Sequence, residues 1–207
     1  MSKDNATLGQ GAHILTLIGQ KDKDKDFLTA LIGSGLLADL LDLDDPASIN
    51  REEFRKVLGL GPLELRISVN YGRSLDEMKK AGNYDWMNDD ITAERFPIKG
   101  EGIKELVPEL IHFNRSISSD NALAELDKMG LRPATIEELL AFGETFPEMQ
   151  CKFPIIALGS VCKVVGDRRV PYLDEDASGR SLDLGWFGLG WDAVYRFLAV
   201  RKEVSGN

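Results

Sequence analysis

The sequence predicts an α+β fold in which N-terminal helices are followed by a mixed region and a C-terminal antiparallel sheet. Three observations predict it. Between Asp26 and Leu43 apolar residues recur at three- and four-residue steps, the period of an amphipathic helix. From Leu63 to Asn70 apolar and polar residues alternate, the period of a strand with one buried face. The last third then carries several short β-like runs separated by glycine and aspartate turns. At roughly 100–200 residues per domain, the 207 residues make one domain with an appendage. The sequence divides into a helical appendage over 1–60 and an α+β domain over 61–207 that ends in a β-meander.

The elements follow in chain order. Phe27, Leu28, Leu31, Ile32, Leu36, Leu37, Leu40 and Leu41 form the first apolar stripe, and Gly33 and Gly35 split it into two short helices. Ser48 or Asn50 can cap a further helix, with Glu52 and Glu53 favouring the positive end of its dipole. Gly59, Gly61 and Pro62 stop it. After the strand at 63–70, Ser74 with Glu77 three residues on forms a capping box. The stretch from Gly82 to Thr92 mixes aromatics with turn formers and reads as irregular. A second strand runs from Glu105 to Phe113, with Pro108 placing it at an edge or bulge. Helices are expected from Ser118 to Met129 and from Thr135 to Phe142. The terminal strands are Phe153–Val161, continued by Cys162–Val165, then Arg168–Leu173, Ser181–Phe187 and Val194–Arg201. Turns are expected at Gly166-Asp167, from Asp174 to Gly179, and at Gly188 to Gly190.

Composition bounds the function classes. Hydrophobic content of 43% and charged content of 29% are those of a chain able to bury a core. A net charge of −9 argues against nucleic acid as a general partner. That charge is uneven: residues 1–60 carry −3, 61–150 carry −7 and 151–207 carry +1. An anionic ligand near Arg168, Arg169 and Arg180 is therefore compatible with the C-terminal part. Cys151 and Cys162 form no disulfide framework and fit no zinc spacing, which points to a reducing, cytoplasmic setting. No secretory leader pattern and no apolar run of about 18 residues is present, so a soluble protein away from the membrane is expected.

Four constellations bear on chemistry. The run Asp174, Asp176, Ser178, Gly179 matches the first half of a calcium loop. Position twelve is Gly185 in place of the bidentate Glu, so at most weak calcium binding is expected, and the plainer reading is a polar β-turn. Trp186, Phe187, Trp191, Tyr195 and Phe197 gather aromatic side chains in one segment. Pointing inwards they are core, and pointing outwards Trp186 and Trp191 make a platform for a sugar, a peptide or a partner protein. His13 and His112 are the only neutral-pH bases, and a nucleophile pairing of His112 with Cys151, Cys162 or a carboxylate is arithmetically open. Glu137, Glu138, Asp89 and Asp90 are carboxylates that can pair. No glycine-rich phosphate loop is present, since Gly9 and Gly11 lack the third glycine and the preceding strand.

Residues Leu131 to Leu139 resemble the Arg-Leu-Pro-Thr-Glu-Ala-Glu-Trp lead-in to a helix of formylglycine-generating-enzyme-like domains, a branch of the C-type-lectin-like fold. Arg132, Thr135 and Glu138 match, while Pro133-Ala134 stands for Leu-Pro and Leu139 for the tryptophan. Phe197 and Arg201 match the terminal strand of the same domains. The segments from Asn83 to Trp86, Phe96-Pro97, Arg132 to Thr135 and Phe197 to Lys202 are also similar to a group of uncharacterised bacterial proteins. The cysteine motif of formylglycine formation has no counterpart here, so the resemblance implies a lectin-like domain with binding loops and carries no enzymatic activity with it. Two functions are thus expected: a non-enzymatic binding or interaction module presenting the aromatic and acidic loops to a protein or small ligand, with no cofactor, or alternatively a small hydrolase or transferase built on His112.

Overall fold

The computed structural model describes residues 64–202 without interruption and, of the N-terminal part, residues 16, 18, 21, 23–43, 54, 55 and 57–59. Two compact units, Met1–Leu63 and Glu64–Asn207, divide the chain. Ser48, Asn50, Glu52, Glu53, Gly61, Pro62, His13, Gly9 and Gly11 lie outside the described residues.

In the first unit, α1 (Lys25–Gly33) starts where the Asp24 carboxylate accepts from the Phe27 amide at 2.8 Å. It ends before Gly35, whose φ of 79° lies in the left-handed region that glycine enters at little cost. Helix α2 (Leu36–Leu41) resumes at once. No residue of either helix is buried.

The second unit contains both helices and sheets, as the α+β class requires. A two-stranded antiparallel pair joins β1 (Ile67–Asn70) to β3 (Ile103–Leu106). The large sheet runs in the order β2 (Trp86–Met87), β9 (Gly179–Trp186), β8 (Asp167–Asp176), β6 (Ile155–Ile156), β10 (Arg196–Arg201), β4 (Glu109–Ile111). Off this path, β5 (Leu131–Pro133) pairs with β10, and β7 (Cys162–Val164) pairs with β8. Three helices begin at residues with the expected caps. These are α3 (Leu75–Ala81) behind Ser74 and Glu77, α4 (Ser119–Lys128) behind Ser118, and α5 (Ile136–Thr145) behind Thr135. A single turn, α6 (Pro147–Gln150), follows α5.

The strands depart from a simple meander in three ways. β10 does not return beside β9; it pairs parallel with β6 and antiparallel with β4 and β5, in the middle of the sheet. The expected strand from Glu105 to Phe113 is two strands in different sheets, broken at Pro108, which has no N–H to continue a ladder. The segment after Gly82 holds β2, which pairs parallel with β9. The tight turn between β7 and β8 falls on Val165 and Gly166, both at positive φ (50° and 90°), one residue earlier than glycine and aspartate signals suggest.

Successive residues of the central strands feed opposite faces of the sheet. Ile155 and Leu198 join the larger core with Ile136, Leu139, Leu140 and Phe142 of α5, while Ile156 and Phe197 join a second cluster with Ala122 of α4, Val170, Phe187 and Trp191. The first turn of α5 is fixed by buried carboxylates. Glu138, 1% exposed, accepts from both Arg132 guanidinium nitrogens at 2.9 and 2.6 Å, from the Thr135 amide at 2.9 Å and from the Tyr71 hydroxyl at 3.4 Å. Glu137, equally buried, accepts from the Lys99 amide at 2.7 Å. Removing one partner of such a pair leaves a buried charge without compensation. Replacement of Arg132 by Met is therefore expected to lower stability in urea unfolding by about 2–4 kcal/mol, less than for a fully buried pair because the outer side of Arg132 is solvated. The double variant Arg132→Met/Glu138→Gln should lose less than the sum of the single changes; strict additivity would show that the pair is not coupled.

Candidate binding site

The β8–β9 hairpin sets Tyr172 directly opposite Asp183 and Arg169 directly opposite Trp186. Cross-strand partners at this spacing touch. The Tyr172 hydroxyl donates to Asp183 Oδ2 at 3.0 Å, and the Arg169 guanidinium carbon lies 3.2 Å from the centre of the Trp186 ring. Asp183 Oδ1 accepts from Asn88 Nδ2 and from the Leu184 amide, each at 2.7 Å. Asn88 reaches it because β2 runs alongside β9, with the Asn88 amide donating to the Leu182 carbonyl at 2.9 Å.

The segment after β9 closes the site. Trp191 exchanges both backbone hydrogen bonds with Ile117, and its indole N–H donates at 2.8 Å to Ser119 Oγ, which in turn donates to the Phe187 carbonyl at 2.7 Å. The Trp191 ring lies against the backbone of β9, where a Cβ on Gly185 would stand 2.5 Å from it; only glycine admits so close an approach. Tyr195 packs edge-on to both Trp191 and Tyr172. These residues surround an open hollow of about 520 Å³, lined by Trp86, Asn88, Arg169, Tyr172, Asp183 and Trp186 among others. Trp86 and Trp186 remain 47% and 42% exposed there, and Leu189 stands out at the rim.

The hollow is polar and partly desolvated. Burial, and next the Asp183 charge, push the Tyr172 phenol above its ordinary range. Tyr195 moves the same way, by burial and then by Asp174 and Asp192. Arg169 donates one bond to the Leu184 carbonyl, while its buried Nε has no protein acceptor. The site thus offers two half-exposed indoles beside a carboxylate, an amide, a guanidinium and phenols.

Among the residues expected to bind, Arg169, Trp186 and Trp191 meet in this hollow, with Trp191 buried as its floor. Arg168 stacks over Phe187 at 4.0 Å and lines an adjoining hollow of about 600 Å³, of which Trp186 is also a wall. Arg180 is elsewhere: its guanidinium donates to the Gly82 and Gly143 carbonyls and to Gln150 Oε1, tying α3, α5 and α6 to β9. The acidic run is not an open loop. Asp174 and Asp176 are in β8, paired with Ser181 and Gly179, and Asp176 accepts from the amide and hydroxyl of Ser178 to close the turn. Among the described residues no three His, Cys, Asp or Glu side chains are grouped to hold a metal ion.

Among the described residues no hydrogen bond joins His112 to either cysteine. His112 is exposed beyond edge strand β4 and shares a 2.7 Å hydrogen bond with the Ala193 carbonyl. Cys151 donates to the Pro147 carbonyl, and Cys162 is buried in β7. Burial pushes both thiols up, away from the reactive thiolate. Of the paired carboxylates, Asp90 binds Arg95, and Glu137 and Glu138 serve the start of α5. Asn88, Tyr172 and Asp183 are site residues that no motif marks. Tyr172 and Asp183 become partners only through hairpin register, and Asn88 only through a parallel neighbour 95 residues away in sequence.

No protein family, curated protein or solved structure matches the chain. No helix of the described residues is long and apolar enough to cross a membrane.

Two predictions follow from these contacts. All four tyrosines are held above their ordinary value, with Tyr71 pushed up to about 12 by burial and the Glu138 charge and Tyr84 raised by burial. The folded chain then keeps phenol protons that the unfolded chain releases near pH 10. Stability should be whole below about pH 10 and fall as pH rises towards 12. Absorbance at 295 nm should show no native phenolate step near pH 10, and a normal step there would contradict the burial. Replacing Ser119 with Ala strands the Trp191 indole N–H, and should cost about 1–3 kcal/mol in thermal unfolding.

Proposed function

We propose that residues 64–202 are a non-enzymatic binding module whose aromatic hollow takes a small polyhydroxylated ligand, a sugar ring being the chemistry that suits it. The observation that carries this reading is the pairing of two half-exposed indoles, Trp86 and Trp186, with the polar set Asp183, Asn88 and Arg169 around one hollow. The C–H face of a sugar offers an apolar surface to an indole, and its hydroxyls both donate and accept. Asp183 accepts, Arg169 donates, and the buried arginine Nε gains a partner. Pockets of this kind combine aromatic walls with a few placed polar groups. The resemblance of residues 131–139 and 197–201 to C-type-lectin-like domains supports the same reading. A cytoplasmic setting, with two free thiols, is part of the proposal.

Intrinsic tryptophan fluorescence tests it. Titration with a panel of neutral, amino and acidic monosaccharides and their disaccharides should give saturable quenching with at least one member. Trp186→Ala should weaken that binding roughly tenfold, as loss of an aromatic contact worth about 1–1.5 kcal/mol implies. Asp183→Asn should weaken it as well. Absence of saturation for every member up to about 10 mM, the millimolar range of the weakest specific sites, would overturn the reading.

A further inference from the structure

A second hollow, of about 550 Å³, lies where the β1 turn, the loop before β3, β5 and the end of β10 meet. Its charge is opposite to that of the chain. Lys99, Lys104, Arg132 and Lys202 line it, with Glu138 the one carboxylate among the described lining residues. These cations come from three separate stretches, residues 99–104, β5 and the end of β10, and three of the four lie within the stretch 61–150 that carries −7. Convergence of like charges costs energy within the screening length of about 8–10 Å, so something must hold them there.

The walls supply that hold. Gly100 lies flat on the Tyr71 ring, where a Cβ would approach to 2.4 Å, and the adjacent Lys99 amide donates to buried Glu137. Gly159 lies against the backbone of Ala134, with a Cβ position 2.5 Å from its carbonyl oxygen. The Arg132 fork is committed to Glu138, and Glu138 is committed to the Thr135 amide and Tyr71. The acid is therefore spent on the floor, below the reach of solvent, at 1% exposure. Lys202 binds Asp127 through an ion pair whose partners are 46% and 72% exposed, a contact of small net worth that an incoming anion can exchange.

We infer that this hollow is an anion site for a phosphate group, separate from the aromatic hollow and independent of its ligand. Compact lysine ammonium groups suit the tetrahedral, doubly charged phosphate. The volume exceeds what a bare phosphate needs, so the group can be free or carried on a small molecule.

Isothermal titration of the full chain with inorganic phosphate and with glucose 6-phosphate, at ionic strength held constant with chloride, tests the inference. Saturable binding of either is expected. Equal affinity identifies the free anion, and at least tenfold tighter binding of the sugar phosphate identifies a carried group. Lys99→Gln/Lys104→Gln should weaken binding at least tenfold, whereas Lys152→Gln, on an exposed lysine outside the hollow, should not. Trp186→Ala should leave phosphate binding unchanged, which separates this test from that of the aromatic hollow. Heat no greater than in chloride alone, or a double lysine variant that binds like the parent chain, would overturn it.

Discussion

The buried carboxylates at the first turn of α5 are the constraint on which the second unit depends. A helix start leaves amide donors without partners and presents a positive dipole end. Here Glu138 satisfies one of those donors and, with the same carboxylate, fastens Arg132 of β5 and Tyr71 after β1. Glu137 takes the backbone of Lys99. One helical turn thus holds the small antiparallel pair, the loop leading to β3 and the middle of the large sheet to one another. The hydrophobic side chains of α5 can then fill the core in a single way, since the direction of the helix is set by polar contacts at its beginning.

The two hollows draw on this framework differently. The basic one is built directly on the carboxylate floor, which holds the backbone of Lys99. The aromatic one lies on the β8–β9 hairpin and owes its form to close approach: a glycine under an indole, a serine bridging the loop, and an arginine laid over a tryptophan. Trp186 and Leu189 line both that hollow and the adjoining one, while Arg169, stacked on Trp186, faces the first alone. A guanidinium held over one ring face leaves the rest of an amphipathic surface for a ligand.

What the sequence made legible was local. The caps at Ser74, Ser118 and Thr135 stand where three described helices begin, because a cap is decided within four residues. The break between α1 and α2 follows from Gly35 for the same reason. Pairings between distant segments were not legible. The placement of β10 beside β6, the parallel approach of β2 to β9, and the crossing of the chain between sheets at Pro108 depend on partners that no local pattern names. The candidate site divides along the same line. The aromatic cluster and Arg169 were visible as composition, whereas Tyr172, Asp183 and Asn88 needed register. Arg180 stands apart from that cluster, and the helix carbonyls that take up its guanidinium are partners that no local pattern names.

The placement of β10 carries a consequence for biosynthesis. It is the last of the described strands to leave the ribosome, yet it lies between strands made earlier and pairs with β4, β5 and β6 at once. Until it arrives, those three strands have open edges, and the core residues Phe197, Leu198 and Ala199 are missing from all three apolar clusters. The nascent chain therefore waits with unpaired backbone that can add a strand from any neighbour. The strand that completes the sheet is also its protection against aggregation, and translation that stalls shortly before residue 196 would release a chain in its most adhesive form.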